Sequence, residues 1–69
     1  MATLAEAEKM AASANINGVA AFIREHGSEH DRVTIQVMKE SLMSAYLEEV
    51  AGREMDEFIF SDIQRIANL

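Results

Sequence analysis

The chain has 69 residues, is 49% hydrophobic, carries a formal net charge of −6, and contains neither cysteine nor proline. This length allows a single domain, residues 1–69, with a marginal core, because so short a chain buries only about 60% of the surface it exposes when unfolded. Disulfide stapling is excluded, the acidic balance disfavours direct contact with nucleic acid or anionic lipid, and no stretch reaches the roughly 20 apolar residues of a membrane span. The segment Met1–Glu6 has no basic region and no apolar run of the kind that opens a signal peptide, so a cytoplasmic location is expected.

Glycine and proline are the strongest backbone breakers, and here only Gly18, Gly27 and Gly52 are available. The expected fold is therefore all-α: a small bundle of three to four helices with a long central helix. In chain order, Thr3-Leu4-Ala5-Glu6 matches a capping box and opens a first helix, whose face Leu4, Ala7, Met10, Ala11 and Ala14 follows helical spacing. Ile16, Val19, Ala20 and Ile23 lie on a rotated face. The rotation falls at Asn15-Ile16-Asn17-Gly18, where Asn15 is a candidate cap of a second helix. That helix runs to His26, with Gly27 expected as a left-handed stop.

Ser28 or Asp31 then caps a long helix over about 29–51. Its apolar residues form two stripes. One is Ile35, Met38, Leu42, Ala45 and Tyr46; the other is Val33, Val37, Met43, Leu47, Val50 and Ala51. An apolar arc this wide implies burial on more than one side, by neighbouring helices or by a second chain. Residues 32–37 also alternate with period two, and with 58–60 could form a short β-ribbon, but the helical pattern of 38–50 outweighs it. Gly52 ends the long helix. The last helix, over about 54–67, places Met55, Phe58, Ile59, Ile63 and Ile66 on one face, with Phe60 off it. A second capping-box match, Ser61–Gln64, offers a break near Phe60.

The chemistry-bearing residues are sparse. His26 and His30 are four apart, but Gly27 and Ser28 intervene and no third or fourth ligand follows, so a polar turn is expected rather than a metal site. Adjacent carboxylates, Glu48-Glu49 and Asp56-Glu57, point in different directions on a helix and do not make an acid–base pair. Glu40-Ser41-Leu42 resembles the Asp-Ser-Leu triplet of acyl carrier proteins, but this serine lies mid-helix and glutamate replaces the aspartate, so the match is rejected. No glycine-rich phosphate loop and no nucleophile–base set is present. No catalytic residue, cofactor or metal is expected, and the chain reads as a non-enzyme.

Charge is uneven: three basic residues oppose five acidic ones in 1–32, and three oppose seven in 33–69. The expected partner-binding surface is Glu48, Glu49, Glu54, Asp56, Glu57 and Phe60, complementary to a basic partner. The expected function is a protein–protein interaction module, a small acidic regulator or inhibitor that binds a larger partner protein, of the sort phages encode. Two other readings stand beside it. One is a nucleic-acid mimic that blocks a DNA- or RNA-binding protein. The other is an oligomer that binds a small anionic ligand through Arg24, Arg32, Arg53 and Arg65. The surplus of apolar side chains, including Met10, Met38, Met43 and Met55, suits a homodimer with the long helix near the two-fold axis.

Overall fold

The structure, a computed structural model, describes residues 3–69. Among the described residues four helices follow one another: α1 (Leu4–Ala12), α2 (Ile16–His26), α3 (Arg32–Glu49) and α4 (Glu57–Ala67), with a 3-10 turn, Gly27–Glu29, between α2 and α3. The described residues contain no strand. The ribbon alternative fails because 33–37 and 58–60 both lie inside helices, whose backbone bonds close locally.

Each helix start carries a side-chain cap. Thr3 accepts from the Glu6 amide at 3.2 Å, Asn15 from the Gly18 amide at 2.9 Å, Asp31 from the Thr34 amide at 2.7 Å, and Asp56 from the Ile59 amide at 2.8 Å. Each satisfies a donor that the first turn leaves free, worth about 1 kcal/mol. Asp31, not Ser28, caps α3, and Asp56 caps α4, so both helices start a few residues later than the pattern suggests. The bonds from the Thr34 amide and hydroxyl hold the Asp31 carboxyl below its usual range. The Ser61–Gln64 match starts nothing, because the preceding turn of α4 already satisfies those amides.

The joint between α1 and α2 is tight. Ala14 lies in the left-handed region, φ 58°. Its amide donates to the Ala11 carbonyl at 3.1 Å, and the Asn15 amide donates to Met10 at 2.9 Å. These two bonds make a Schellman ending with alanine where glycine is usual. Ala14→Gly is therefore expected to raise stability by about 0.5–1 kcal/mol, read as a higher urea midpoint. Gly18 lies inside α2 and is needed for a different reason. A methyl group there would overlap the Met10 sulfur and meet the Asn15 side-chain amide nitrogen at 2.6 Å, so it would disturb both the helix crossing and the cap.

The other two glycines differ from each other. Gly52 is left-handed, φ 84°, and turns the chain just after α3, which ends at Glu49 with Val50 as its cap, two residues before the expected end. Gly27 is not: it is right-handed, φ −59°, and opens the 3-10 turn. The reversal there is made instead by His30, whose backbone is extended at φ −125° and ψ 156°.

The core is built on α3. Leu42 and Met38 are buried with Tyr46 along one side, against Ala7 and Ala11 of α1, Val19 and Phe22 of α2, and Ile59 and Ile66 of α4. The alanines of α1 let it run close along α3, while α4 packs on α3 and α2 packs mainly on α1. The first α3 stripe is thus the core, as its spacing indicates. The second splits. Met43 and Val50 pack against the core, but Val33, Val37, Leu47 and Ala51 are exposed, because α1 and α4 together do not reach the far side of α3. The face expected for α4 splits too: Ile59 and Ile66 are buried and Ile63 half-buried, but Phe58 and Met55 are exposed. Phe58 is one residue from Ile59, about 100° of helical rotation, which carries it past the edge of the contact.

Long-range side-chain hydrogen bonds tie the helices together, among them two that involve the C-terminal end of the chain. Arg65 donates to the Asn17 side chain at 2.8 Å, joining α4 to α2, and Lys39 donates to the Leu69 carbonyl at 2.6 Å. No helix of the described residues is long and apolar enough to cross a membrane.

Candidate partner-binding surface

The six residues marked by the sequence are all exposed, but they fall into two groups. Glu48 and Glu49 end α3 and line a shallow depression with Ala12, Ser13 and Ala14 at the α1–α2 joint. Glu54, Asp56, Glu57 and Phe60 belong to the α3–α4 loop and the start of α4. Within this second group Asp56 is committed: one carboxylate oxygen caps α4 and the other lies 4.0 Å from Arg53. The carboxylates left for a partner are Glu54 and Glu57.

Sequence spacing marked Phe60 but missed the rest of the apolar part of this surface, Phe58 and Met55. Phe58 is 73% exposed, Met55 64% and Phe60 56%. Residues two apart on a helix are separated by about 200°, so Phe58 and Phe60 leave α4 on opposite flanks of buried Ile59. The start of α4 is therefore a projecting edge with an aromatic ring on each flank, not a flat patch. One signal was available: Phe58-Ile59-Phe60 places three large apolar residues in a row, and one helix face cannot bury all three.

Charge placement marks the neighbouring end of α3. Its first turn has no acidic residue and begins with Arg32, and its last turn has no basic residue and ends with Glu48 and Glu49. At the start the Asp31 cap carboxylate offsets Arg32, but the Glu48–Glu49 end opposes the helix dipole, at a cost of about 0.3–1 kcal/mol per exposed charge. Folding alone does not favour carboxylates at this position.

Beneath the edge, the Tyr46 hydroxyl donates to Asp62 at 2.7 Å, tying α3 to α4. Burial, then the bond to Asp62 and its negative charge, push the Tyr46 phenol up to about 12. The fold favours the neutral phenol, so this contribution is fully present below pH 10 and is lost between about 10 and 12. Tyr46 is the only tyrosine, and the chain has no tryptophan, so tyrosinate absorbance reads it alone. The expected midpoint is near 12 in the folded chain and near 10 in urea, and Tyr46→Phe should lose less stability than wild type over that interval.

The histidines serve the α2–α3 turn. His26 Nδ1 lies 2.7 Å from a Glu29 carboxylate oxygen, and the rings of His26 and His30 lie 5.5 and 5.6 Å from that of Phe22. Among the described residues, no three His, Cys, Asp or Glu side chains gather as metal ligands. Of the four arginines offered to an anion, Arg65 is bonded to Asn17 and Arg53 lies beside Asp56. Ser41 sits in the middle of α3, in the wall of a groove against α1. Comparison with protein-family models, with curated proteins and with solved structures finds no match to this chain.

Proposed function

We propose that the chain is a non-enzymatic interaction module that inserts the first turns of α4 into an apolar groove with a basic rim on a larger protein. The observation that supports this reading most is the exposure of Phe58 and Phe60 on opposite flanks of one capped, core-anchored helix turn. Rigid aromatic side chains fixed on a helix are efficient anchors, because little side-chain entropy is lost when they are buried. The two flanks call for a concave partner that grips both. Glu54 and Glu57 supply the negative rim, which favours a basic one and speeds encounter.

A bait of this chain compared with Glu54→Lys/Glu57→Lys tests the reading in cell extract of the native host. Asp56 is left intact, since reversing it would also remove the α4 cap. The expected result is one larger protein held by the wild-type bait and held at least about tenfold less by the variant. Equal retention by both baits would refute the role of these carboxylates. Salt separates this reading from a nucleic-acid mimic: aromatic anchoring should survive roughly 0.5 M salt, where the Debye length is only a few ångströms, and a purely electrostatic mimic should release.

A further inference from the structure

The outer side of α3 is an apolar stripe that no helix of the described residues covers. Val33 and Val37 are 71% and 59% exposed, and Leu47 is also exposed. At about 100° per residue these three fall within an 80° arc, with Glu40 between them and the short side chains of Ser41 and Ser44 alongside. The stripe borders an open groove of about 500 Å³ between α1 and α3, walled by Leu4, Ala11, Val37 and Met38. The chain's accessible surface is 4769 Å², whereas a compact monomer of 7.7 kDa should expose about 4,300 Å². This excess of roughly 400–500 Å² is shared between the α3 stripe and the exposed α4 side chains, and the smallest stable interface takes about 500 Å² from each copy.

We propose that a second copy of the chain covers this stripe, with α3 running antiparallel to α3 across a two-fold axis near Glu40. Two arguments select a second copy in this orientation. The first is charge. Glu48 and Glu49 lie at the negative end of the α3 dipole, misplaced within one chain, whereas at the other end Arg32 stands beside the Asp31 cap. An antiparallel α3 paired about Glu40 sets Glu48 of one copy beside Arg32 of the other, which offsets part of that misplaced charge. The second is register. Val33, Glu40 and Leu47 repeat every seven residues, the spacing of a helix–helix seam. Antiparallel pairing about Glu40 places Val33 over Leu47 of the second copy and Gln36 beside its Ser44, at both ends of the seam. The two Glu40 carboxylates then meet at the axis, a polar pair that sets register at some cost in affinity. The two aromatic edges of α4 fall at opposite ends of the dimer, free to engage partners.

Sedimentation equilibrium of the full chain at about 100 µM tests this, a concentration that saturates any micromolar contact. The expected mass is twice 7.7 kDa. Val37→Glu, at an exposed position, should give the monomer mass with unchanged helical circular dichroism. Glu40→Gln should tighten the dimer about two- to fivefold, the scale of an exposed like-charge pair. Because the chain has no cysteine, Glu40→Cys gives a second readout that does not depend on Val37→Glu folding: oxidation should yield a covalent dimer, and Glu25→Cys on α2 should not. A wild-type monomer at this concentration would overturn the proposal. So would a dimer that survives in folded Val37→Glu, equal cross-linking from Glu25→Cys, or a dimer lost on Phe58→Ser/Phe60→Ser, which would place the contact on α4.

Discussion

Leu42→Ala is expected to remove about 3–5 kcal/mol of stability, the range for leucine truncation in a core that cannot collapse around the loss. Leu42 is fully buried and among the largest side chains with no exposure. The core it sits in draws on three other helices, and the fully buried residues of α1 in it are Ala7 and Ala11. Alanine backbones already in close contact have little room to move inward, so the cavity should persist. A domain of this length has only about 3–10 kcal/mol in total. The variant should therefore melt near or below ambient temperature, or unfold in little urea, as followed by far-ultraviolet circular dichroism. A loss under about 1 kcal/mol would mean that the four helices do not share one core centred on α3.

Phe58→Ser/Phe60→Ser should have the opposite profile. Both rings are mostly exposed, so serine should change the melting temperature by only a few degrees, as surface substitutions do. Partner binding should fall at least about a hundredfold, because two truncated anchors each worth about 2 kcal/mol or more suffice. This separation of stability from binding distinguishes an interaction edge from apolar residues that merely failed to be buried. Phe60→Ser alone should give an intermediate loss, since Phe58 still holds the other flank.

The fold was readable where one physical cue acted alone. The core side of α3, the cap at Thr3, the break at Asn15 and the stop at Gly52 each follow from local spacing or backbone chemistry. Cues that depend on which neighbour arrives were not readable. The second α3 stripe looks as apolar as the first, and only the placement of α1 and α4 decides that Met43 is covered and Val37 is not. Gly27 matched a left-handed stop, but a 3-10 turn let the chain reverse three residues later at His30. Phe58 fitted the buried face of α4 by spacing, and one residue of rotation removed it. The acidic character of the α4 surface was legible from composition. Of its aromatic half, Phe60 was legible because it falls off the stripe, and Phe58 was not, because its exposure depends on how α4 is rotated in the packed molecule.

The most direct test of the account is site-specific photocross-linking, with a photoreactive phenylalanine analogue placed in turn at Phe58, at Phe60 and at Ser28 on the turn between α2 and α3. The account predicts a covalent adduct with the same larger protein from Phe58 and from Phe60, and none from Ser28. An adduct of equal yield from Ser28, or no adduct from either α4 position while the bait still retains that protein, would contradict it.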